Sequence, residues 1–101
     1  MKFKLTSETK ILLGKTLYRI EALIDFGAVK AGEKGGFIEK EGNLSQVDGD
    51  AWVYGDALVY GNARVYGDAL VYGDARVYVD APVYGDARVV VDARVCRKAR
   101  V

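Results

Sequence analysis

From Gly49 to Cys96 small or apolar residues alternate with bulky or polar ones in a fixed order of six: GDAWVY, GDALVY, GNARVY, GDALVY, GDARVY, VDAPVY, GDARVV, VDARVC. Arg97 to Val101 begin the order again. In an extended segment successive side chains face opposite ways, so the Ala and Val of each word share one face and the variable residue and Tyr share the other. Arg fills the variable position at 64, 76, 88, 94 and 100, and a stack of unpaired guanidinium groups cannot be buried. Ala and Val are therefore expected to point inward. The Gly-Asp step reads as a corner, because glycine accepts positive φ and Asp or Asn hydrogen-bonds nearby backbone. Val79, Val91 and Arg97 in place of Gly, together with Pro82, make the pattern decay towards its C-terminal end.

Four extended residues and a two-residue corner, repeated, generate a coil of parallel strands, and three words close a triangle of about 18 residues. Residues one coil apart then stack at about 4.8 Å. On the first side the outward ladders are Trp52, Leu70, Arg88 and Tyr54, Tyr72, Val90. The second carries Leu58, Arg76, Arg94 and Tyr60, Tyr78, Cys96; the third carries Arg64, Pro82, Arg100 and Tyr66, Tyr84. Apolar and aromatic residues dominate the first side, which marks it as an interface. The expected interface residues are Trp52, Tyr54, Leu70, Tyr72 and Val90, joining copies of the chain as a homo-oligomer, with a trimer favoured. On that reading, replacing Trp52 and Leu70 with Arg leaves folding largely intact and abolishes association. The plainer alternative is that stacked Tyr rings only support neighbouring strands, at about 0.2–1 kcal/mol per pair.

Residues 1–46 do not repeat. Phe3 to Leu5 and Thr16 to Phe26 are rich in β-branched, aromatic and aliphatic residues, and Gly14-Lys15 reads as the turn of a hairpin between them. TLYRIEALI also carries apolar residues at helical spacing, but the run lacks an N-cap, so strand is the expectation. Between Gly27 and Gln46 the buriable residues are Val29, Phe37, Ile38 and Leu44, and Ile38 to Leu44 repeats the spacing of six. This suits an irregular first coil, with an insertion that puts Val47 in phase. A plain connecting loop over 39–46 is the alternative. The expected organisation is an N-terminal β-hairpin cap with an irregular first coil at 1–46, then a β-solenoid at 47–101. Together they make one folding unit whose open end is closed by the cap.

Charge narrows the function classes. With 15 basic and 14 acidic residues the net charge is +1, which makes nucleic acid an unlikely partner and argues against electrostatic attachment to a membrane. The start, MKFKLTSETK, has no apolar run of signal-peptide length, and no segment approaches the roughly 20 apolar residues of a membrane span. One cysteine, Cys96, allows no internal disulfide. A cytoplasmic or virion location is expected. Arg94, Arg97, Lys98 and Arg100 form a local basic cluster, suited either to a phosphate-bearing ligand or to blocking strand addition at an exposed sheet edge. Corner carboxylates stack at Asp50, Asp68 and Asp86, but adjacent Arg ladders can neutralise them, and neither a metal nor a cofactor is expected.

An aliphatic residue every six positions, a small residue four places on, and Gly-Asp or Gly-Asn between them resemble the hexapeptide repeat of the left-handed parallel β-helix. That repeat is best known from trimeric acyltransferases. Parallel crossovers are otherwise right-handed in about 98% of cases, so left-handedness here is what the resemblance implies. Tyr stands just after the aliphatic residue where many of those enzymes have Gly. The stretch ALIDFGAVKAGEKGGFIEKEGNLSQ, followed by DAWVYGDA, resembles hexapeptide-repeat proteins of tailed phages and bacterial prophages. Those enzymes use a histidine base, and this chain has no histidine. Cys96 has basic neighbours but no base for turnover. No catalytic residue is therefore expected. The leading function is a non-enzymatic scaffold or protein-interaction module of phage or prophage origin. Next come a small inhibitor or adaptor binding a host or virion protein or a phosphate-bearing ligand, and, further behind, an acyltransferase-like enzyme.

Overall fold

A computed structural model describes residues 1–12, 14–46, 49–73 and 75–78, together with the backbone of short strands at 82–83, 88–89 and 94–95. The described chain is all β apart from one turn of 3-10 helix at Glu41–Asn43. Strands β1 (Phe3–Leu12) and β2 (Lys15–Ala22) form an antiparallel hairpin, and Gly14 takes φ 79° at its turn. The 16–24 stretch is thus strand at its core, because Leu17 is buried on one side of the sheet and Ile20 and Ala22 on the other. β1 runs well beyond Leu5, carried past an irregularity between Leu5 and Thr9. There the Thr6 hydroxyl donates to the Arg19 carbonyl.

Strand β3 (Lys34–Ile38) pairs antiparallel with β2 on one edge and parallel with β5 (Leu58–Val59) on the other. It is therefore the joint between hairpin and repeat. Beyond it the two-residue strands stack in parallel: β5 with β8 (Arg76–Val77) and β11 (Arg94–Val95), β4 (Trp52–Val53) with β7 (Leu70–Val71) and β10 (Arg88–Val89), and β6 (Arg64–Val65) with β9 (Pro82–Val83). Among the described residues these strands form three sheets, of six, three and two strands. Each repeat residue faces its counterpart three words on, as in Trp52 opposite Leu70 and Leu70 opposite Arg88.

The region before the repeat keeps the same pairing with a shifted phase. Ile38 pairs with Val59 and Leu44 bridges Val65, so the offset is three residues longer than in the later words. The spacing of six from Ile38 to Leu44 is therefore structural, and 39–46 is more than a connecting loop. Val47, expected to restore the phase, lies outside the described residues.

Every described Ala and Val of the repeat from Ala51 to Val77 is at most 1% exposed, in one core with Ile38, Leu44 and Val29. Corner glycines 55, 61, 67 and 73 take φ between 60° and 73°, the left-handed region that the Gly-Asp corner requires. At Asp50 the stack shows what the acidic corner residue does: the Asp68 carboxylate accepts the Asp50 backbone N–H at 3.0 Å. Gly36 stands where the next coil has Ala57, and a Cβ there would meet the Ala57 carbonyl oxygen at 2.6 Å and Val53 Cγ1 at 2.7 Å. Gly36→Ala is therefore expected to destabilise by about 1–3 kcal/mol through overpacking. Gly42→Ala, whose Cβ meets nothing within 4 Å, serves as the control in the same urea titration.

Candidate functional site

The hairpin does not merely extend one sheet. Phe3 and Phe26 both meet Trp52 edge-on, with ring centroids 6.3 and 5.2 Å away, and Lys2 lies over the Phe26 ring and donates from Nζ to the Ala51 carbonyl at 3.0 Å. Trp52 is consequently 0% exposed. Its expected role in an exposed interface is overturned, and with it the expectation that Trp52→Arg leaves folding intact. The residue stands at the outward position of its word, as the alternation requires, but two phenylalanines from outside the repeat cover it. On the neighbouring sheet Leu17 and Phe37 likewise cover Leu58 and Tyr60, with Leu12 and Tyr78 packed against them.

Three of the predicted interface residues do meet at the surface. Tyr54, Leu70 and Tyr72 line one shallow, open depression. Leu70 follows Trp52 in the ladder beyond the reach of Phe3, and Tyr54 meets Tyr72 edge-on at 6.3 Å and 89°. The Tyr60–Tyr78 pair instead stacks at 5.3 Å and 7°. Both ladders are therefore ring contacts between successive coils, and only the first is left facing solvent beside an aliphatic neighbour. Val90, the fifth predicted interface residue, lies outside the described residues. Arg94 pairs through its backbone with Arg76 in the six-stranded sheet. The remaining predicted anion contacts, Arg97, Lys98 and Arg100, lie outside the described residues.

Polar side chains that the repeat pattern does not single out fasten the joint. Arg19 donates to the Gly35 carbonyl at 2.7 Å and the Gly55 carbonyl at 3.2 Å, pairs with Glu8 at 2.8 Å and lies over the Phe37 ring. Asn43, 0% exposed, donates from Nδ2 to the Gly61 and Ala63 carbonyls and accepts at Oδ1 from the Glu39 and Lys40 N–H groups. Gln46 accepts the N–H groups of Lys2 and Phe3 and donates to the Phe3 carbonyl, as a neighbouring strand does. Burial holds the Lys2 pKa below its ordinary value, while Asp50 and Asp68 pull it back up. No sequence signal marks Asn43; the strand register alone aligns it with Arg64 and puts a short amide where the repeat carries a long cation.

Among the described residues no group of three or more His, Cys, Asp or Glu side chains is placed to hold a metal ion, and no helix is long and apolar enough to cross a membrane. The family model of the YdcK beta solenoid repeat matches the chain at residues 51–66, 59–73 and 63–79. These overlapping matches fall on the words whose Ala and Val fill the core, and they support a β-solenoid repeat protein. A comparison with curated proteins finds no match.

Proposed function

We propose that the chain is a non-enzymatic scaffold and interaction module: a left-handed, three-sided β-helix of 18-residue coils, closed at its N-terminal end by the β1–β2 hairpin. The parallel register and the repeat match support the solenoid; the hexad's resemblance to left-handed β-helices supports the hand. The resemblance of residues 22–57 to phage and prophage proteins supports an origin there. The chain associates with itself, most simply as a trimer, through the face that carries Tyr54, Leu70 and Tyr72. The observation behind this reading is the open apolar depression these three residues line next to an outward position, Trp52, that the protein itself has covered. An aromatic and aliphatic cluster of this kind is the composition of interface centres.

Light scattering across a wide concentration range tests it. The parent chain is expected to give a trimer that dissociates on dilution. Tyr72→Lys is expected to give a monomer with an unchanged far-UV dichroism spectrum, because Tyr72 is outside the buried core. A parent chain that is monomeric at every concentration overturns self-association.

A further inference from the structure

Strand β1 ends the six-stranded sheet and pairs with β2 on one side. The alternation along β2 tells which of its backbone groups are in use. Ala22 gives its N–H to the Glu33 carbonyl and accepts the Gly32 N–H on the β3 side. The Leu23 N–H and the Arg19 carbonyl instead meet the Lys2 carbonyl and the Thr6 hydroxyl on the β1 side. Odd residues of β2 therefore bond towards β1, and Lys10 and Leu12 are the residues opposite Leu17 and Lys15. Thr9 and Ile11, opposite Tyr18 and Thr16, turn their N–H and C=O groups to the outer edge. Phe3, opposite Ala22, does the same, and there the Gln46 amide takes both groups. No described group takes them at Thr9 or Ile11; residues 7–11 are all exposed, Ile11 at 66%.

The devices that usually guard a free edge, charged side chains, bulges and proline, are drawn aside here. Lys10 lays its ammonium over the Phe37 ring, 4.9 Å from the centroid, and Glu8 reaches Arg19 at 2.8 Å, so both charged chains lean inward across the sheet. The irregularity of β1 lies before Thr9, and the chain's one proline is Pro82. Residues 1–22 hold five basic side chains against two acidic ones. Lys15 and Arg19 are paired with carboxylates, and Lys10 has none among the described residues. Apart from the self-association face, we propose that the edge at residues 9–12 accepts an extended acidic segment of another protein as an added strand. Hydrogen bonds from the Thr9 and Ile11 backbone hold the segment. Its alternate residues put a carboxylate beside Lys10 on one face of the sheet and an apolar side chain beside Ile11 on the other.

The test is an amide-resolved NMR titration of the full chain with acetyl-Val-Glu-Val-Glu-Val-amide. Saturable shifts centred on residues 9–12 are expected. The same peptide with Lys for Glu should bind about two- to fivefold more weakly, the scale of one exposed ion pair, and Lys10→Gln should remove most of that difference. The Glu peptide with every backbone amide methylated should not bind. Thr9→Pro should melt close to the parent, because an edge position with an outward N–H tolerates proline, and should no longer bind. Lys10→Pro should melt well below both, because its N–H serves β2. Absence of saturable shifts, binding of the methylated peptide, or equal affinity for the Glu and Lys peptides each overturns the proposal. So does a Thr9→Pro chain that still binds or that loses its hairpin. A Thr9→Pro chain with an altered light-scattering mass puts a second copy on this edge and overturns the acidic segment as its occupant.

Discussion

Trp52→Ala is expected to lower stability by about 3–5 kcal/mol, a fall in Tm of roughly 15–30 °C. The indole is 0% exposed and is held between Phe3 from the hairpin, Phe26 from the loop that follows it and the coil beneath, so its removal opens a cavity where hairpin and solenoid meet. Trp52→Phe should cost less than half as much. It keeps an aromatic partner for Phe3 and Phe26, and it removes an Nε1–H that is buried with no hydrogen-bond partner among the described residues, a group that opposes folding while it stays unpaired. Trp52→Arg should not fold, because it puts a guanidinium where no water reaches. Thermal melts by dichroism give the ranking. Trp52 is the sole tryptophan, so its emission reports hairpin docking directly. A Trp52→Ala chain that melts within a few degrees of the parent would mean that the hairpin does not seat on the coil.

Asn43→Asp is expected to be nearly as damaging, for an electrostatic reason. Nδ2 donates to two carbonyls, Gly61 at 3.1 Å and Ala63 at 2.8 Å, and Oδ1 accepts two N–H groups, Glu39 at 3.1 Å and Lys40 at 2.9 Å. An amide, with two donor hydrogens and an accepting oxygen, fits this set fully. A carboxylate satisfies the N–H side but turns an anion on two carbonyl oxygens in a fully buried site. A loss of at least about 3 kcal/mol at neutral pH follows from leaving two buried acceptors unpaired beside a charge. The sign with pH separates this from a cavity effect. The carbonyls disfavour the ionised form, so the introduced carboxyl titrates higher in the folded chain than in the unfolded one. Its penalty is smallest below the unfolded value, about 3.9, and grows as pH rises through the folded value. Asn43→Ala takes this partner from the Lys40 N–H and from the Gly61 and Ala63 carbonyls, while the Glu39 N–H keeps the Val59 carbonyl, and its penalty should not change with pH. Parallel urea titrations at acidic and neutral pH, each variant referred to the parent, check both. An Asn43→Asp deficit that is the same at both pH values removes the electrostatic account.

Much of the fold was legible in the hexad because its signal is a local alternation repeated many times. Ala at one position and Val two places later define a face whatever surrounds them, and Arg at the position between them tells which face is wet. That logic placed Ala51 to Val77 in the core and put Tyr54 over Tyr72 and Tyr60 over Tyr78. It failed at Trp52. Alternation says which way a side chain points and nothing about what arrives from elsewhere to cover it. Phe3 stands far from Trp52 in sequence and Phe26 in a glycine-rich loop, and neither carries a periodic signal linking it to the repeat. Arg19, Asn43 and Gln46 were equally silent. Their work is to pair backbone groups that the irregular first coil leaves open, and which groups those are depends on a three-residue shift of phase that only the paired strands reveal.

The sequence by itself determined the period, the inward and outward faces, the corners and the parallel stacking, because each follows from steric and solvation rules acting within six residues. Tertiary structure alone decided which outward residues stay outward. The hairpin folds onto the first coil and takes Trp52, Leu58 and Tyr60 out of water, and it leaves Tyr54, Leu70 and Tyr72 half-buried around one open depression. Coverage of that kind comes from contacts between segments distant in sequence, where the free energy of burying an aromatic surface outweighs any local preference.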